Sequence, residues 1–545
     1  MSKKEFNELD FIVNYVPYRA ALILVFVLGY FMVFDNKWDV NGDNAAYYNL
    51  GTALSEGLGF VNPALPGTPP ETHFPIGYPT FIAALKTVGI QGAAGLKMAN
   101  GFLLLITGLL WFELFQKLIP RKNLAFVAVL AMFVSPLLMR FSTIIMSEIL
   151  FLFLSTATLF SLSKKGNNLQ NALASPYFYT ACIAAVAGFY VKTLGFIILG
   201  TIPLFYLWSK NIKAAAAGIL PGLLAVFPYL SGSTGGGNYL HQLIMVNPYQ
   251  PEKGLLGAGD VVERLSSNAF NYGFGVIQSV AFPLSNKWLG SFLFLDVIFG
   301  GLVLYFIYLG LKKITGFKKL ILPFLGLTVP VILLWPDVWT GPRFIVHAAP
   351  LFIFIFLAGL LTWVEKYEHK FSTKKPAGVF PLFLFTLLSI IALNTERLKA
   401  QADYPLNWKK YFDTAGEAQR TTPQDAVFIA RKPHLFYVHS GRQAANFKNT
   451  ENDTLQMDYF MEIGATHVVL DNLGYGSTPR YLFPTLEKHA ICFKNVMSFP
   501  EQHTYLLSFD RALYGSDQYE EKLKTQRDSL LNQKDAELQD DFLVD

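Results

Sequence analysis

The run Gly101-Phe-Leu-Leu-Leu-Ile-Thr-Gly-Leu-Leu-Trp-Phe112 lies in the middle of an apolar segment over residues 94–116. As a helix, such a segment crosses a hydrocarbon layer, which takes about 20 mostly apolar residues. Further runs of the same kind lie at 17–34, 123–140, 147–163, 176–191, 194–209, 214–230, 288–311, 319–336, 343–363 and 377–394. The pattern predicts an all-α polytopic membrane protein with about eleven transmembrane helices. Composition agrees: of 545 residues, 52% are hydrophobic and only 15% charged. An average soluble domain carries roughly 25% charged residues, so a soluble globular enzyme and a disordered chain are both excluded. The net charge of +5, without a Lys/Arg cluster interleaved with aromatics, argues against a nucleic-acid partner. Cys182 and Cys492 are too few and too distant in sequence for a disulfide framework or a metal site. The first run has no small-residue cleavage site ahead of Asn36, so it reads as a span and not as a removable signal.

Basic residues fall in alternate loops: Lys3, Lys4 and Arg19; Lys117, Arg121 and Lys122; Lys164 and Lys165; Lys210 and Lys213; Lys312, Lys313, Lys318 and Lys319; Lys366, Lys370, Lys374 and Lys375. By the positive-inside rule this predicts a cytoplasmic N-terminus and, with an odd number of crossings, an external C-terminal domain. A membrane domain is expected over 1–394, with external loops at 35–78 and 231–287; the second opens with the flexible run Gly232–Gly237. Residues 395–518 alternate strand-like runs (Ala426–Ala430, Thr466–Leu470, Thr504–Phe509) with helical ones (Trp408–Arg420, Leu455–Ile463, Tyr481–His489). This predicts a small α/β soluble domain, followed by a charged helical or disordered tail over 519–545.

The first external loop reads Trp38-Asp-Val-Asn-Gly-Asp43-Asn-Ala-Ala-Tyr47-Tyr, and Ala46, Leu50, Ala53, Leu54 and Leu58 then recur at helical spacing. The spacing predicts an amphipathic helix on the outer membrane surface. Asp43, just ahead of its first turn, is either the N-cap or a catalytic base. The loop ends in His73-Phe-Pro75-Ile-Gly77-Tyr78-Pro79, a rigid turn back to the membrane. Tyr78 reads as an interfacial anchor or a sugar-site residue, and His73 as a ligand, a general acid or neither.

Arg140, Lys192 and Arg343 stand at the outer ends of spans in loops otherwise poor in charge. Cations there either snorkel to lipid phosphates or stabilise an anionic headgroup; an ion at a membrane edge points to function because its burial is costly. Arg343 suits bidentate phosphate binding best. Glu148, the acid at the outer start of the fourth span, either caps that helix, where the dipole favours an acid, or orders Lys192, or binds acceptor or sugar hydroxyls. His347, one turn beyond Arg343, either faces a cavity or packs between helices. Asp337, Asp260, Glu263 and Arg264 are expected to be solvated or gating loop residues.

Taken in order, a single span, the external Gly-Asp43-x-x-x-Tyr47-Tyr…Gly-x-Gly-Phe, Pro75-x-Gly-Tyr-Pro, Met146-Ser-Glu148, Val191-Lys192-Thr-Leu-Gly195 and Gly341-Pro-Arg343-Phe resemble the GT-C glycosyltransferases. The protein O-mannosyltransferase and aminoarabinose-transferase branch, similar to glycosyltransferase family 39, is the nearest in pattern. The resemblance covers roughly residues 15–360. It implies a mannosyltransferase-like enzyme that moves a sugar from a polyprenyl-phosphate donor to a glycan, lipid or protein acceptor on the outer or periplasmic face of a bacterial inner membrane. It also implies Asp43 as the general base of an inverting transfer and Arg343, Lys192 and Arg140 as donor-phosphate ligands. Glu148, Tyr78, His73, Tyr47 and His347 would bind substrate. Asn44 stands where many relatives have a second acid, so no metal ligands are assigned and a divalent metal is doubtful. The competing reading is a transporter or flippase of lipid-linked sugars, which would place charges at mid-membrane.

Overall fold

The computed structural model describes residues 18–164, 171–230, 238–250, 253–282, 293–368 and 379–525. The run Gly232–Gly237, the basic residues Lys3, Lys4, Lys165, Lys370, Lys374 and Lys375, and residues 526–545 of the expected tail lie outside them. The chain divides into two compact units, one of Met1–Trp38 with Glu71–Ala402, the other of Asp39–Pro70 with Asp403–Asp545.

The first unit is helical, and every one of the eleven apolar runs carries a helix. Three helices are long and apolar enough to cross a membrane: Ala93–Leu118, Phe294–Lys313 and Val346–Tyr367. The pair Lys122–Phe133 and Pro136–Ser142, bent by 55°, passes the same test together. Five further apolar helices, Tyr18–Val33 and Glu148–Leu162 among them, are shorter, and the count of eleven crossings rests on sequence pattern alone. Large apolar side chains such as Leu28, Phe31, Leu223 and Phe227 lie exposed on these helices, a surface suited to lipid and not to water. Small residues set the closest packing. A Cβ on Gly359 would stand 1.7 Å from the Phe306 carbonyl oxygen, and one on Gly310 1.9 Å from that of Ile355. Glycine alone therefore lets these two helices approach so closely, the use small residues find where lipid removes the hydrophobic drive for association. Buried Lys97 donates to Asp35 Oδ1 at 2.9 Å and to the Lys37 carbonyl at 2.6 Å, tying the end of the first helix to Ala93–Leu118.

The second unit is α/β. Its sheet has the order β2-β1-β3-β5-β4, with β1 Val427–Ile429, β2 Gln443–Ala445, β3 His467–Leu470, β4 Phe493–Phe499 and β5 Thr504–Phe509. β2, β1 and β3 are parallel, whereas β5 pairs antiparallel with both β3 and β4. Strands β2 and β4 and helix Pro433–Ser440 add to the elements expected from sequence. Three-residue β2 is too short to show alternation, and β4 carries a bulge at Asn495/Met497 that breaks its period.

Two boundaries differ from expectation. Helix Asp43–Ser55 does not stand alone as a surface helix: its buried Ala46 and Leu50 lie in the second unit, where Asn49 donates to the His434 carbonyl at 3.2 Å. Residues 61–70 cover the edge of β2, with the Ala444 amide donating to Ala64 and the Gln443 side chain to Thr68. That arrangement satisfies backbone groups an edge strand would leave open. At the other end, Tyr519 and Leu523 are buried in the core with Met457, Phe460 and Val468, so the described start of the expected tail belongs to the domain.

Candidate active site

Helix Glu148–Leu162 begins with its only acid in the first turn, and that side chain is fully buried. Glu148 directly follows the N-cap residue, Ser147. Glu148 Oε1 accepts from Lys192 Nζ at 2.9 Å and from Arg343 Nε at 2.8 Å. Its Oε2 has no hydrogen-bond partner among the described residues. The ion pairs match the reading in which Glu148 orders Lys192, and they add Arg343. Phe344 lies beneath both cations, its ring centre 5.4 Å from Lys192 Nζ and 5.9 Å from the Arg343 guanidinium carbon. Lys192 and Glu148 are nearly sequestered, while Arg343 keeps a third of its side chain exposed. Two cations thus share one carboxylate oxygen, and the guanidinium stays accessible, an arrangement suited to binding an anion.

Local sequence explains the convergence. Lys192 follows helix Pro176–Val191 in extended backbone and precedes the tight turn Thr193–Gly195. A Cβ on Gly195 would fall 2.3 Å from the Phe189 Cα, and one on Gly77 2.5 Å from the Tyr190 carbonyl carbon. Both glycines are thus pressed against the backbone that delivers Lys192. Tyr78, next to Gly77, is buried, and its hydroxyl accepts from Asn100 Nδ2 at 3.0 Å; the same amide donates to the Ile144 carbonyl at 2.8 Å. Tyr78 therefore braces the turn leading into Glu148 and is not an interfacial anchor. Arg343 sits in the single turn Pro342–Phe344.

The remaining expected residues are placed as follows. His347 is buried between the rings of Phe151 and Phe324, with Thr328 Oγ1 3.5 Å from its Nε2, the packed alternative. Arg140, on helix Pro136–Ser142, is exposed and is not among the Glu148 partners. His73 is exposed, and its backbone amide donates to Glu71 at 2.6 Å. Asp43 and the buried Tyr47 belong to the second unit. Asp43 is the first residue of its helix; Gly42, at φ +98°, is the N-cap, so the capping reading of Asp43 is replaced. An acid in that first turn still gains from the helix dipole. Asn44 donates to Asp39 instead of supplying a second carboxylate, and no group of three His, Cys, Asp or Glu suited to a metal occurs among the described residues.

Arg264, expected to be solvated or gating, is instead buried and donates to the carbonyls of Leu243, at 2.7 Å, and of Met245 and Val246. One turn on, Asn268 donates to the carbonyls of Leu333 and Trp335 and accepts from Thr340, fixing the approach to Arg343. Sequence gave no signal for Asn100 or Asn268, which are lone amides in apolar or loop segments.

The chain superposes on the oligosaccharyltransferase of Archaeoglobus fulgidus, solved with Zn and sulfate, at a TM-score of 0.55 and 15% identity, over 88% of this chain and 72% of that one. It also superposes on ArnT of Cupriavidus metallidurans bound to undecaprenyl phosphate, at a TM-score of 0.54 and 12% identity, over 90% and 97% of the two chains. The chain therefore has the fold of these two membrane proteins. A third structure, the archaeal oligosaccharyltransferase AglB of Archaeoglobus fulgidus in complex with an inhibitory peptide and a dolichol-phosphate, gives a TM-score of 0.53 and 15% identity over 86% and 72% of the two chains. No family model and no curated protein sequence matches the chain.

Proposed function

We propose that the protein is a membrane glycosyltransferase that takes a sugar from a polyprenyl-phosphate donor and passes it to a hydroxyl acceptor at the outer, periplasmic face of a bacterial inner membrane. The observation that carries this reading is the meeting of Lys192 and Arg343 on Glu148 Oε1, in a fold shared with chains solved with undecaprenyl phosphate or dolichol-phosphate. Glu148 holds the two cations at fixed positions, so little reorganisation is needed as negative charge develops on the departing phosphate.

In the proposed step the acceptor oxygen attacks the anomeric carbon from the face opposite the phosphate. The bond between that carbon and the phosphate oxygen breaks, its electron pair staying on the phosphate beside Arg343 and Lys192. Asp43 takes the hydroxyl proton, and the anomeric configuration inverts. Tyr78 acts as a positioning residue through Asn100. The charges of the cluster lie at helix ends, at the start of Glu148–Leu162 and just past Pro176–Val191, which suits chemistry at an interface better than translocation. Transfer from labelled polyprenyl-phosphate sugar by purified protein tests the reading. Asp43→Asn should abolish transfer while leaving the protein folded, and the product should carry the inverted anomer. Full activity in that variant, or transport of the lipid without transfer, would overturn it.

A further inference from the structure

The second unit contains a cluster that the proposed transfer step does not use. In its sheet, the chain runs from β1 through helix Pro433–Ser440 to β2 on one side, then through Asp453–Glu462 to β3 on the other. The carboxyl ends of β1 and β3 therefore form a topological switch point, where open sheets with parallel strands bind ligands. The residues there are chemically unusual. Arg431, just past β1, lies between two rings, its guanidinium carbon 4.6 Å from the centre of Tyr475 and 5.4 Å from that of Phe447. Among the described residues that guanidinium has no hydrogen-bond acceptor. Lys432 Nζ stands 4.7 Å from the Tyr475 ring centre and donates to the Asn41 carbonyl at 3.0 Å. Asp471, just past β3, is 3% exposed; its Oδ1 accepts from the Leu473 amide, and its Oδ2 has no partner among the described residues.

A buried carboxylate oxygen lacking a donor, beside a partly exposed guanidinium lacking an acceptor, is costly unless something completes both. Neither group satisfies the other, since no ion pair joins them. A ligand that completes both must donate a hydrogen bond to Asp471 Oδ2 and accept from Arg431, as a sugar hydroxyl with a neighbouring oxygen does. With Lys432 the cations outnumber the carboxylate, so a negatively charged substituent is favoured. The turn Asn41-Gly42-Asp43 lies directly on Lys432: a Cβ on Gly42 would meet the Lys432 side chain at 3.5 Å. The candidate base is thus one residue from a contact of this cluster.

We propose that this switch point is the acceptor-recognition site, and that it takes a sugar unit bearing an anionic group, with a hydroxyl on Asp471 Oδ2 and the anion on Arg431 and Lys432. The word acceptor rests on the transferase reading above; the binding itself does not. The test uses the purified full-length protein with three probes and no donor lipid: a phosphorylated glucosamine disaccharide, trigalacturonate and neutral maltotriose. At least one anionic probe should bind and slow hydrogen exchange in peptides covering 430–434 and 470–476. Binding of the phosphosugar alone points to a lipid-linked phosphoglycan acceptor, whereas binding of the uronate points to an acidic polysaccharide. Arg431→Gln and Asp471→Asn should each weaken that binding at least tenfold. The exchange measurement on the parent protein needs no variant and stands if either substitution misfolds. Equal binding of maltotriose, protection elsewhere only, or no anionic probe binding would overturn the site. With no turnover read, that failure leaves the transferase reading intact, and inactivity of the enzyme leaves this site intact.

Discussion

Lys192 and Arg343, 151 positions apart in sequence, donate to the same oxygen of Glu148, at 2.9 and 2.8 Å. Removing that carboxylate takes a shared, buried counter-charge from both cations. Breaking a buried pair from one side costs roughly 3–5 kcal/mol. Glu148→Ala should therefore lower the thermal unfolding temperature of the detergent-purified protein clearly. Glu148→Gln, which keeps an acceptor oxygen, should lower it less. An alanine variant that melts with the parent would show that the pair is not what holds these segments together.

Arg343 donates to Glu148 through Nε while a third of its side chain stays exposed. Arg343→Lys preserves charge but not the planar fork. Steady-state assays should show about a tenfold or larger rise in the donor concentration for half-saturation, roughly the worth of one charge-assisted hydrogen bond of 1.5–3 kcal/mol. The acceptor dependence should change little.

Gly77 and Gly416 make a matched pair of tests. At Gly77 a Cβ would collide with the Tyr190 and Val191 backbone, whereas at Gly416, inside helix Leu406–Thr421, nothing stands within 4 Å. Gly77→Ala should destabilise by about 1–3 kcal/mol, as overpacking does. Gly416→Ala should stabilise by about 0.5–1 kcal/mol through helix propensity. Thermal melts of both in the same detergent decide the matter, and a reversed order would contradict the packing described.

Burial pushes the Asp471 carboxyl from its ordinary 3.8 up to about 6, against the opposing pull of the Leu473 amide, Arg431 and Lys432. The folded state thus holds a proton that the unfolded chain releases between those values. Its stabilising effect is complete below pH 3.8 and is lost as pH rises through 6, a difference of about 2–3 kcal/mol. Hydrogen exchange at Val468 and Val469 should speed up from pH 4 to pH 7, after correction for intrinsic rates, more in the parent than in Asp471→Asn. Equal pH profiles would place the proton elsewhere.

The apolar runs were legible because a helix in lipid needs its length written as composition, and a helix appears at each. The cations at helix ends were legible because charge is scarce there. What joins them was not: the backbone that delivers Lys192 is met by Gly77, more than a hundred positions earlier, and a glycine's neighbours across the fold leave no mark on its local sequence. Helix Asp43–Ser55 showed its apolar stripe but not its partner, since Ala46 and Leu50 fit a lipid surface or a protein face equally well. Asp471 gave no signal at all, being one acid at the end of a short strand.

Binding of undecaprenyl phosphate, the leaving group without its sugar, tests the central claim most directly. Titrated into the purified protein, it should bind the parent and bind Arg343→Ala at least tenfold more weakly, with Asp43→Asn unchanged. Equal affinity of the parent and Arg343→Ala, or no binding to the parent, would contradict the account.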